Sequence, residues 1–291
     1  MALQSSGAIS LNDIHIEAGG TSGTTASIND SDIRALIDKS SGATMSFSEW
    51  YGASATVTHA VTSNTTNRNV LSIFGNSDFT SNVAKILVIN SGVEVGASNL
   101  SNYAVNVPSG MGGTLNIQNA GTLSGAGGDG SSSGAGGAGG TAIYIASNNV
   151  TVTNTGTIRG GGGGGGKGAD GASNVDSNFS CIGGTGGAGG NGQGYDQSQS
   201  NGAGGGSKYA YLTYNPGAGN CAGPSCYFCD DQGIYTDGSD GGDGGTYGNA
   251  GDQGDGGGSQ GGAAGKYIQL ASGISYTLSN SGTLQGNDPE N

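Results

Sequence analysis

The sequence of 291 residues is poor in the residue types that most enzymes use for catalysis. Its two histidines, His15 and His59, both precede the glycine-rich part of the chain. No base therefore accompanies a nucleophile in that part, and we expect neither an enzyme nor a cofactor. The run Gly160–Gly166 before Lys167 is not a phosphate-binding loop, because neither Ser nor Thr follows the lysine and no helical pattern comes after it.

Positive charge and long apolar runs are also scarce. The chain has 8 Lys and Arg residues and 21 Asp and Glu residues. The resulting net charge of −13 argues against electrostatic binding to nucleic acid or to an anionic membrane. The longest apolar run, Ile86–Ile89, is too short to insert into a membrane. The first residues, MALQSSGAISLND, have neither a basic nor an apolar region, so we expect no signal peptide. A protein that acts outside a cell without one must leave by another route, such as lysis.

Glycine dominates the composition instead, with 65 residues. In the run Asp240–Gly258 it occupies every third position, from Gly242 to Gly257, and the run Gly183–Gly194 keeps the same period. A period of three fits polyglycine II, which has three residues per turn. Collagen shares the period but needs many prolines, and this chain has four.

An isolated glycine run is typically a flexible linker. Several such runs, each bounded by a β-like segment, favour a folded stack in which neighbouring polyglycine II helices pair their N–H and C=O groups. We therefore predict a fold that is mostly β and polyglycine II. Its parts are a small N-terminal helical module (residues 1–52), a β linker region (53–110) and a glycine-rich polyglycine II sandwich with β rungs (111–291).

Residues 1–52 contain three short helix signals. Ser10 with Asp13, Asn29 or Asp30 before Ile33–Ile37, and Ser46 with Glu49 all resemble N-caps followed by an acid. Three turns this small are expected to dock on something else. The pattern ISLNDI…DSDIRALIDKSSG…MSFSEWYG resembles the N-terminal module of many phage virion and tail proteins, which implies that this module attaches the chain to the virion.

Residues 53–110 read as β structure, with strands predicted at Thr56–Val61, Val83–Ile89 and Tyr103–Val107. We identify no candidate catalytic or binding residues in this region. We expect Trp50 to be a packing residue and His59 to lie on the surface.

An internal repeat begins near residue 113. Its shared element, Asn-x-Gly-Thr-(Leu or Ile)-x-Gly, begins at Asn119, Asn154 and Asn280, each time after alternating apolar residues. Repeats of this kind stack their aliphatic positions into one core. Ala142–Ile145 and Lys266–Leu270 are predicted companion strands.

The stretches GTLNIQNAGTLSGAGG, TAIYIASNNVTVTNTGTIRGGGGGGGKG and GGTGGAGGNGQG resemble the glycine-rich domain of phage tail adhesins, the receptor-recognising tip proteins of T-even-like long tail fibres. The resemblance covers roughly residues 110–291. It implies a sandwich of layered polyglycine II helices whose distal loops contact the host receptor.

Loops between the glycine runs are the candidate receptor-binding sites, since the glycine scaffold offers no side chains. They are Ala169–Ile182, Tyr195–Asn201 and above all Ser207–Ser239. Exposed aromatic rings provide contact area at low entropic cost, although they also pack on one another to hold a long loop. The candidate receptor-binding residues are Phe179, Tyr195, Tyr209, Tyr211, Tyr214, Tyr227, Phe228 and Tyr235.

The four cysteines, Cys181, Cys221, Cys226 and Cys229, lie in the same loops. Part of the spacing matches a plant-type iron–sulfur motif, but the fourth cysteine lies upstream. A Cys₄ zinc site is an alternative. We expect instead one or two disulfides in an extracellular particle, with three possible connectivities.

The acids Asp237, Asp240, Asp243, Asp252 and Asp255 suggest a calcium-binding repeat, but its large aliphatic position is missing. We interpret them as solvated acids and predict no metal.

The predicted function is that of a phage virion adhesin without enzymatic activity. Its expected partners are a host outer-surface receptor, protein or glycan, and other virion or tail proteins bound through residues 1–52. Two alternatives are a structural fibre or decoration protein that self-assembles, and an ice-binding protein on a polyglycine II scaffold.

Overall fold

The computed structural model describes residues 3–37, 39–53, 55–81, 83–175, 180–207, 209–211 and 236–288. Its first part is a small helical module with α1 (Leu11–Glu17), α2 (Ser31–Ala35) and a 3₁₀ helix (Phe47–Trp50). Complete capping boxes at Ser10 with Asp13 and at Ser46 with Glu49 confirm both predicted caps. The N-cap of α2 is Asp30, but its carboxylate accepts a bond from Ser27 N (2.8 Å) rather than from the helix.

A separate apolar cluster holds this module together. Ile14, Ile33 and Trp50 are fully buried, and the Trp50 Nε1 donates to the carbonyl of Ile33 at 3.1 Å. Trp50 is therefore a packing residue, as predicted.

The next part is a parallel β-solenoid whose strands follow one another in rungs. The first rung has β1 (Thr56–Val61), β2 (Thr65–Thr66) and β3 (Arg68–Asn69), and the second has β4 (Ala84–Ile89), β5 (Glu94–Gly96) and β6 (Val105–Val107). The third has β7 (Thr114–Asn119), β8 (Thr122–Ser124) and β9 (Ile143–Ile145). The fourth has β10 (Val150–Asn154), β11 (Thr157–Arg159) and β15 (Ile268–Leu270). Three further strands lie between β11 and β15 in the sequence but outside the rungs, namely β12 (Asn174–Val175), β13 (Ser180–Ile182) and β14 (Tyr209–Tyr211). The last has β16 (Tyr276–Asn280) and β17 (Thr283–Gln285).

Corresponding strands of successive rungs pair in register and form three parallel sheets in the described part of the chain. Leu87, Ile117 and Val152 occupy one such row, and all three are fully buried. One hydrophobic core extends from Val61 to Ile268 and takes in both the 53–110 region and the strands of the repeat. The predicted stacking of the repeat's aliphatic positions is therefore observed.

The asparagine of the repeat forms a ladder along one corner of the solenoid. Asn119, Asn154 and Asn280 are paired in register. The Asn119 Nδ2 donates to the Asn154 Oδ1 at 2.8 Å, and the Asn154 Nδ2 donates to the Asn280 Oδ1 at 2.7 Å. These bonds explain why the repeat has asparagine at this corner, where Asn119 and Asn154 are buried.

A helix in the first rung was not predicted. It is α3 (Val70–Thr80), which begins after Asn69, whose side chain accepts from Leu71 N. Gly75 (φ 75°) divides it into two short turns, so no long helical period marks it in the sequence. Phe74 and Phe79 pack into the solenoid core, and burial of these rings holds the helix in place.

Lys85 ties the end of α3 to the following rungs. The side chain is buried, and its Nζ donates to the carbonyls of Ser81 (3.1 Å), Val83 (2.9 Å) and Gly112 (2.9 Å). Burial lowers the pKa of the Lys85 amine.

The glycine-rich residues form a separate layer inserted within two rungs. The chain leaves the solenoid after β8 and returns before β9, and it leaves again after β11 and returns before β15. Within the described residues, this glycine layer consists of eight extended segments. The first to fourth are 125–131, 134–140, 160–171 and 183–194, and the fifth to eighth are 197–206, 236–246, 249–255 and 259–265. We call its end at the solenoid the base and its opposite end the tip.

Hydrogen bonds in the layer run between segments and repeat every third residue. In the third segment, Gly161 and Gly164 donate to the second segment, Gly162 and Gly165 to the fourth, and Gly163 to the seventh. Its carbonyls accept from the first, sixth and eighth segments. One segment is thus hydrogen-bonded to six neighbouring segments. These bonds pair the polar groups of a buried backbone that has no side chains to bond them.

The close approach of these segments requires glycine. A Cβ on Gly163 would lie 1.9 Å from the carbonyl oxygen of Gly262, and one on Gly165 would lie 1.9 Å from that of Gly242. The long run Asp240–Gly258 is not one segment, however. The chain reverses after Thr246 and again after Asp255, so the period of three continues through two turns.

Candidate functional site

The tip of the glycine layer carries a small antiparallel sheet, β12–β13–β14. Cys181 of β13 pairs with Asn174 of β12 on one side and with Ala210 of β14 on the other. The predicted loops 169–182 and 207–239 therefore meet in one structure.

The stems of these two loops are bonded to each other. Gly171 N donates to Gly184 O (2.8 Å), Gly184 N to Thr236 O (3.1 Å), and Gly238 N to Gly206 O (2.9 Å). The Thr236 Oγ1 also accepts from Ala172 N at 3.1 Å. Four chain segments thus converge directly beneath β12–β14 and fix its position on the layer.

The predicted receptor-binding residues fall into three groups. Tyr209 and Tyr211 belong to β14 at the tip. Tyr195 lies at the base, where its N–H donates to Gly125 O (3.1 Å) and its half-buried ring covers Gly96. The structure therefore does not bring Tyr195 together with the tip residues. The others, Phe179, Tyr214, Tyr227, Phe228 and Tyr235, lie outside the described residues.

The cysteines give a similar result. Cys181 lies in β13, whereas Cys221, Cys226 and Cys229 lie outside the described residues. Their pairing in disulfides, and the alternative of a zinc site, stay predictions.

An ion pair stands near the tip on the third segment. The Lys167 amine contacts the Asp170 carboxylate, which also accepts from Gly186 N at 2.7 Å. The Gly186 N–H, with the Lys167 amine in second place, lowers the pKa of Asp170.

Two of the predicted solvated acids make specific bonds. The Asp240 Oδ1 accepts from Gly205 N (2.9 Å), and the Asp243 Oδ1 accepts from Gly202 N (2.8 Å). They serve as hydrogen-bond acceptors for a neighbouring glycine segment. Among the described residues, no three His, Cys, Asp or Glu side chains gather as metal ligands would.

A junction between the layer and the solenoid was missed by sequence reasoning. The Arg159 guanidinium lies 3.6 Å from the ring centroid of Tyr247 and 2.9 Å from the Glu94 Oε1, and its Nε donates to the Ser124 Oγ at 2.8 Å. Burial raises the pKa of the Tyr247 hydroxyl. A signal was present, since Tyr247 is the one aromatic residue inside the run Asp240–Gly258, and Arg159 stands where the other repeats have Ser124 and Gln285.

A family model described as "Phage tail fibre adhesin Gp38" matches residues 56–289. The chain belongs to this family. The match begins at the first residue of β1, so it covers the solenoid and the glycine layer. The resemblance stated from the glycine-rich repeats is thereby confirmed. Gp38 proteins are tail fibre adhesins, a class that binds rather than catalyses, and membership makes this adhesin a component of the virion.

The fold of this Gp38-family adhesin is also that of a solved structure. The match is to a chain in the crystal structure of the gp37-gp38 adhesin tip complex of the long tail fibre of bacteriophage S16. The two chains are 20% identical, with a TM-score of 0.51, and the match covers 94% of this chain and 96% of that chain. No curated protein matches the chain. The helices of the described residues include none long and apolar enough to cross a bilayer.

Proposed function

We propose that this adhesin binds a receptor on the host cell surface through the tip of the glycine layer, with no enzymatic step. The observation that supports this most directly is the convergence of the loops 169–182 and 207–239 on β12–β14. A site composed of two loops on four hydrogen-bonded stems is positioned before it meets its ligand. Tyr209 and Tyr211, together with Phe179, Tyr214, Tyr227, Phe228 and Tyr235, are the proposed contact residues.

The glycine layer is the scaffold of this proposal, and we propose that it is a polyglycine II sandwich. Donors that return to the same neighbour every third residue support it, because three residues complete one polyglycine II turn. At about 3.1 Å per residue, the third segment would hold the tip roughly 35 Å from the solenoid. A crystal structure would test the geometry, since polyglycine II requires φ near −75° and ψ near +145°.

Residues 1–52 are the proposed attachment to the virion. Of the four large apolar side chains that are exposed among the described residues, Ile16, Phe47 and Tyr51 belong to this module and Leu100 does not. The module also borders a groove against α3, lined by Ile9, Ile16 and Val83 among others. The S16 structure is of a gp37-gp38 complex, which favours another tail fibre protein as the partner here.

The receptor proposal is tested by replacing residues 208–235 with a short Gly-Ser linker. Gly206 and Gly238 are hydrogen-bonded to each other, so a short linker closes the gap without moving the stems. We expect saturable binding of the labelled parent to some strains in a panel of bacteria, and its loss in the variant. A Tyr195→Ala variant, altered at the base, should bind like the parent. Unchanged binding after the replacement would move the site elsewhere.

The attachment proposal is tested with its own matched pair of variants. Changing Ile16, Phe47 and Tyr51 together to Ser should abolish incorporation into tail fibres while cell binding persists, because the tip is untouched. Leu100→Ser, which removes an equally exposed apolar side chain from the solenoid, should incorporate normally. Normal incorporation of the triple variant would contradict the proposal.

The two alternative functions gain no support from the family, which is one of adhesins. A self-assembling decoration protein would form large species when purified, and an ice-binding protein would slow ice growth. Either result, with no binding to cells, would favour the corresponding alternative.

A further inference from the structure

The edges of the glycine layer end in a recurrent hydrogen-bonding arrangement. In the interior, each row of N–H groups spaced by three residues donates to the backbone of a neighbouring segment. At the outer segments, one or two of these rows have no further segment to bond. In one such row of each segment, Asp, Asn and Ser side chains supply the acceptor oxygens.

The fifth segment shows this most simply. Ser200, Ala203 and Gly206 donate to backbone carbonyls of the fourth segment. The next row, Gly202 and Gly205, donates instead to the carboxylates of Asp243 and Asp240. The two donors are three residues apart in the sequence, and so are the two acceptors. The acceptor numbers fall as the donor numbers rise, as expected between two antiparallel segments.

The fourth segment shows the exchange within a single row. Gly192 and Gly189 donate to the first segment, at Gly128 O and Ser131 O. The first segment ends there. The next two donors of the row, Gly186 and Gly183, bond the Asp170 Oδ1 (2.7 Å) and the Ser173 Oγ (2.8 Å).

The first segment repeats the arrangement on its own outer side. Gly128 and Ser131 donate to the backbone of the third segment. Gly127 and Gly130 belong to another row of the same segment, whose N–H groups point away from the third segment. They donate at 3.0 Å to the Asp196 Oδ1 and the Asn191 Oδ1.

We propose that Asp170, Asn191, Asp196, Asp240 and Asp243 are terminators of the glycine layer. Each supplies the oxygen that the backbone carbonyl of a further segment would supply. An exposed row of unpaired N–H groups is a template for pairing with another chain, and these side chains occupy the row. Part of the acidity of the glycine-rich sequence is thereby structural, independent of what the tip binds.

The proposal is tested at Asp240 and Asp243 by amide hydrogen exchange measured by NMR on the full chain. Gly204 lies between the two bonded donors, and its N–H makes no hydrogen bond among the described residues, so it serves as an internal reference. We expect Gly202 and Gly205 of the parent to exchange at least about tenfold more slowly than Gly204.

Three double variants separate acceptor geometry from charge. Asp240→Ala with Asp243→Ala should bring the exchange of Gly202 and Gly205 close to that of Gly204. Asp240→Asn with Asp243→Asn keeps an acceptor oxygen without the charge, and should protect both amides like the parent. Asp252→Ala with Asp255→Ala removes the same charge from two exposed side chains and should also behave like the parent.

Protection that survives in the double alanine variant, or that is lost equally in the double asparagine variant, would overturn the proposal. If the double alanine variant does not fold, the parent and the asparagine variant still decide. Equal exchange of Gly202, Gly204 and Gly205 in the parent would by itself refute the terminator role.

Discussion

The solenoid and the glycine layer bury their chains in opposite ways. In the solenoid, aliphatic side chains such as Leu87, Ile117 and Val152 are removed from water, and their apolar area supplies the stabilisation. In the layer, the buried residues Gly160–Gly166 have no side chains, and their backbone groups are paired with surrounding segments. The comparison shows that a chain poor in aliphatic residues can still be buried, provided that almost every backbone donor and acceptor has a partner.

The largest expected effect comes from breaking the solenoid core. Ile117→Ala removes a fully buried side chain between Leu87 and Val152, and should lower the free energy of unfolding by about 3–4 kcal/mol. Denaturant unfolding measures the change. Ile16→Ala, at an exposed position, is the control and should cost less than about 0.5 kcal/mol. Equal costs for the two would contradict an aliphatic core.

The glycine layer should be sensitive to added volume rather than to lost volume. Gly163→Ala places a methyl group 1.9 Å from the Gly262 oxygen, so backbone must shift, at about 3 kcal/mol. Gly134→Ala is the matched control, since nothing lies within 4 Å of its added Cβ, and it should change stability by no more than about 0.5 kcal/mol. Thermal unfolding distinguishes the two, and similar melting temperatures would mean that the layer tolerates side chains.

A smaller effect is expected where the two regions meet. Arg159→Met removes the Glu94 ion pair, the bond to Ser124 and the contact with Tyr247, and should cost about 1 kcal/mol because the ion pair is partly exposed. Exchange of the amides at residues 245–249 should accelerate, while those of β7 and β10 should not. Uniform acceleration would show that the junction stabilises the whole molecule rather than the base of the layer.

The smallest effect concerns pH at the tip. Because Gly186 N–H and the Lys167 amine lower the pKa of Asp170 below 3.8, the unfolded state binds this proton first as the pH falls. The stabilisation is present above pH 3.8 and is lost as the pH falls through the folded pKa. Asp170→Asn keeps an acceptor and should lose less stability than the parent below pH 3.8. Parallel pH profiles of the melting temperature would contradict this assignment.

Local features of the fold were predictable from sequence, and long-range ones less so. The capping boxes at Ser10 and Ser46 depend on residues three positions apart, and strand Thr56–Val61 alternates along its own length. The stacked repeat was visible because Asn119, Asn154 and Asn280 share a motif. By contrast, α3 is interrupted at Gly75, and no local pattern indicates it.

The placement of the candidate site shows the same limit. No residue near Gly160 indicates that the chain will return to the same rung at Gly265, so the insertion within the solenoid could not be predicted. Tyr195 looked like the other loop aromatics in the sequence, because base and tip differ only in how the segments fold back. The meeting of loops 169–182 and 207–239 likewise depends on the pairing of separate segments.

The insertion of the glycine layer within two rungs has a mechanical consequence. The chain crosses between layer and solenoid four times, near Gly125, Gly140, Gly160 and Gly265. A pull on the tip follows the covalent chain to two of these crossings, Gly160 and Gly265, and reaches the other two through hydrogen bonds between segments. It loads the rows of inter-segment hydrogen bonds along the segment axis, in shear. Many hydrogen bonds then resist the force together instead of opening one after another. The layer therefore transmits tension as a stiff rod and not as a flexible tether.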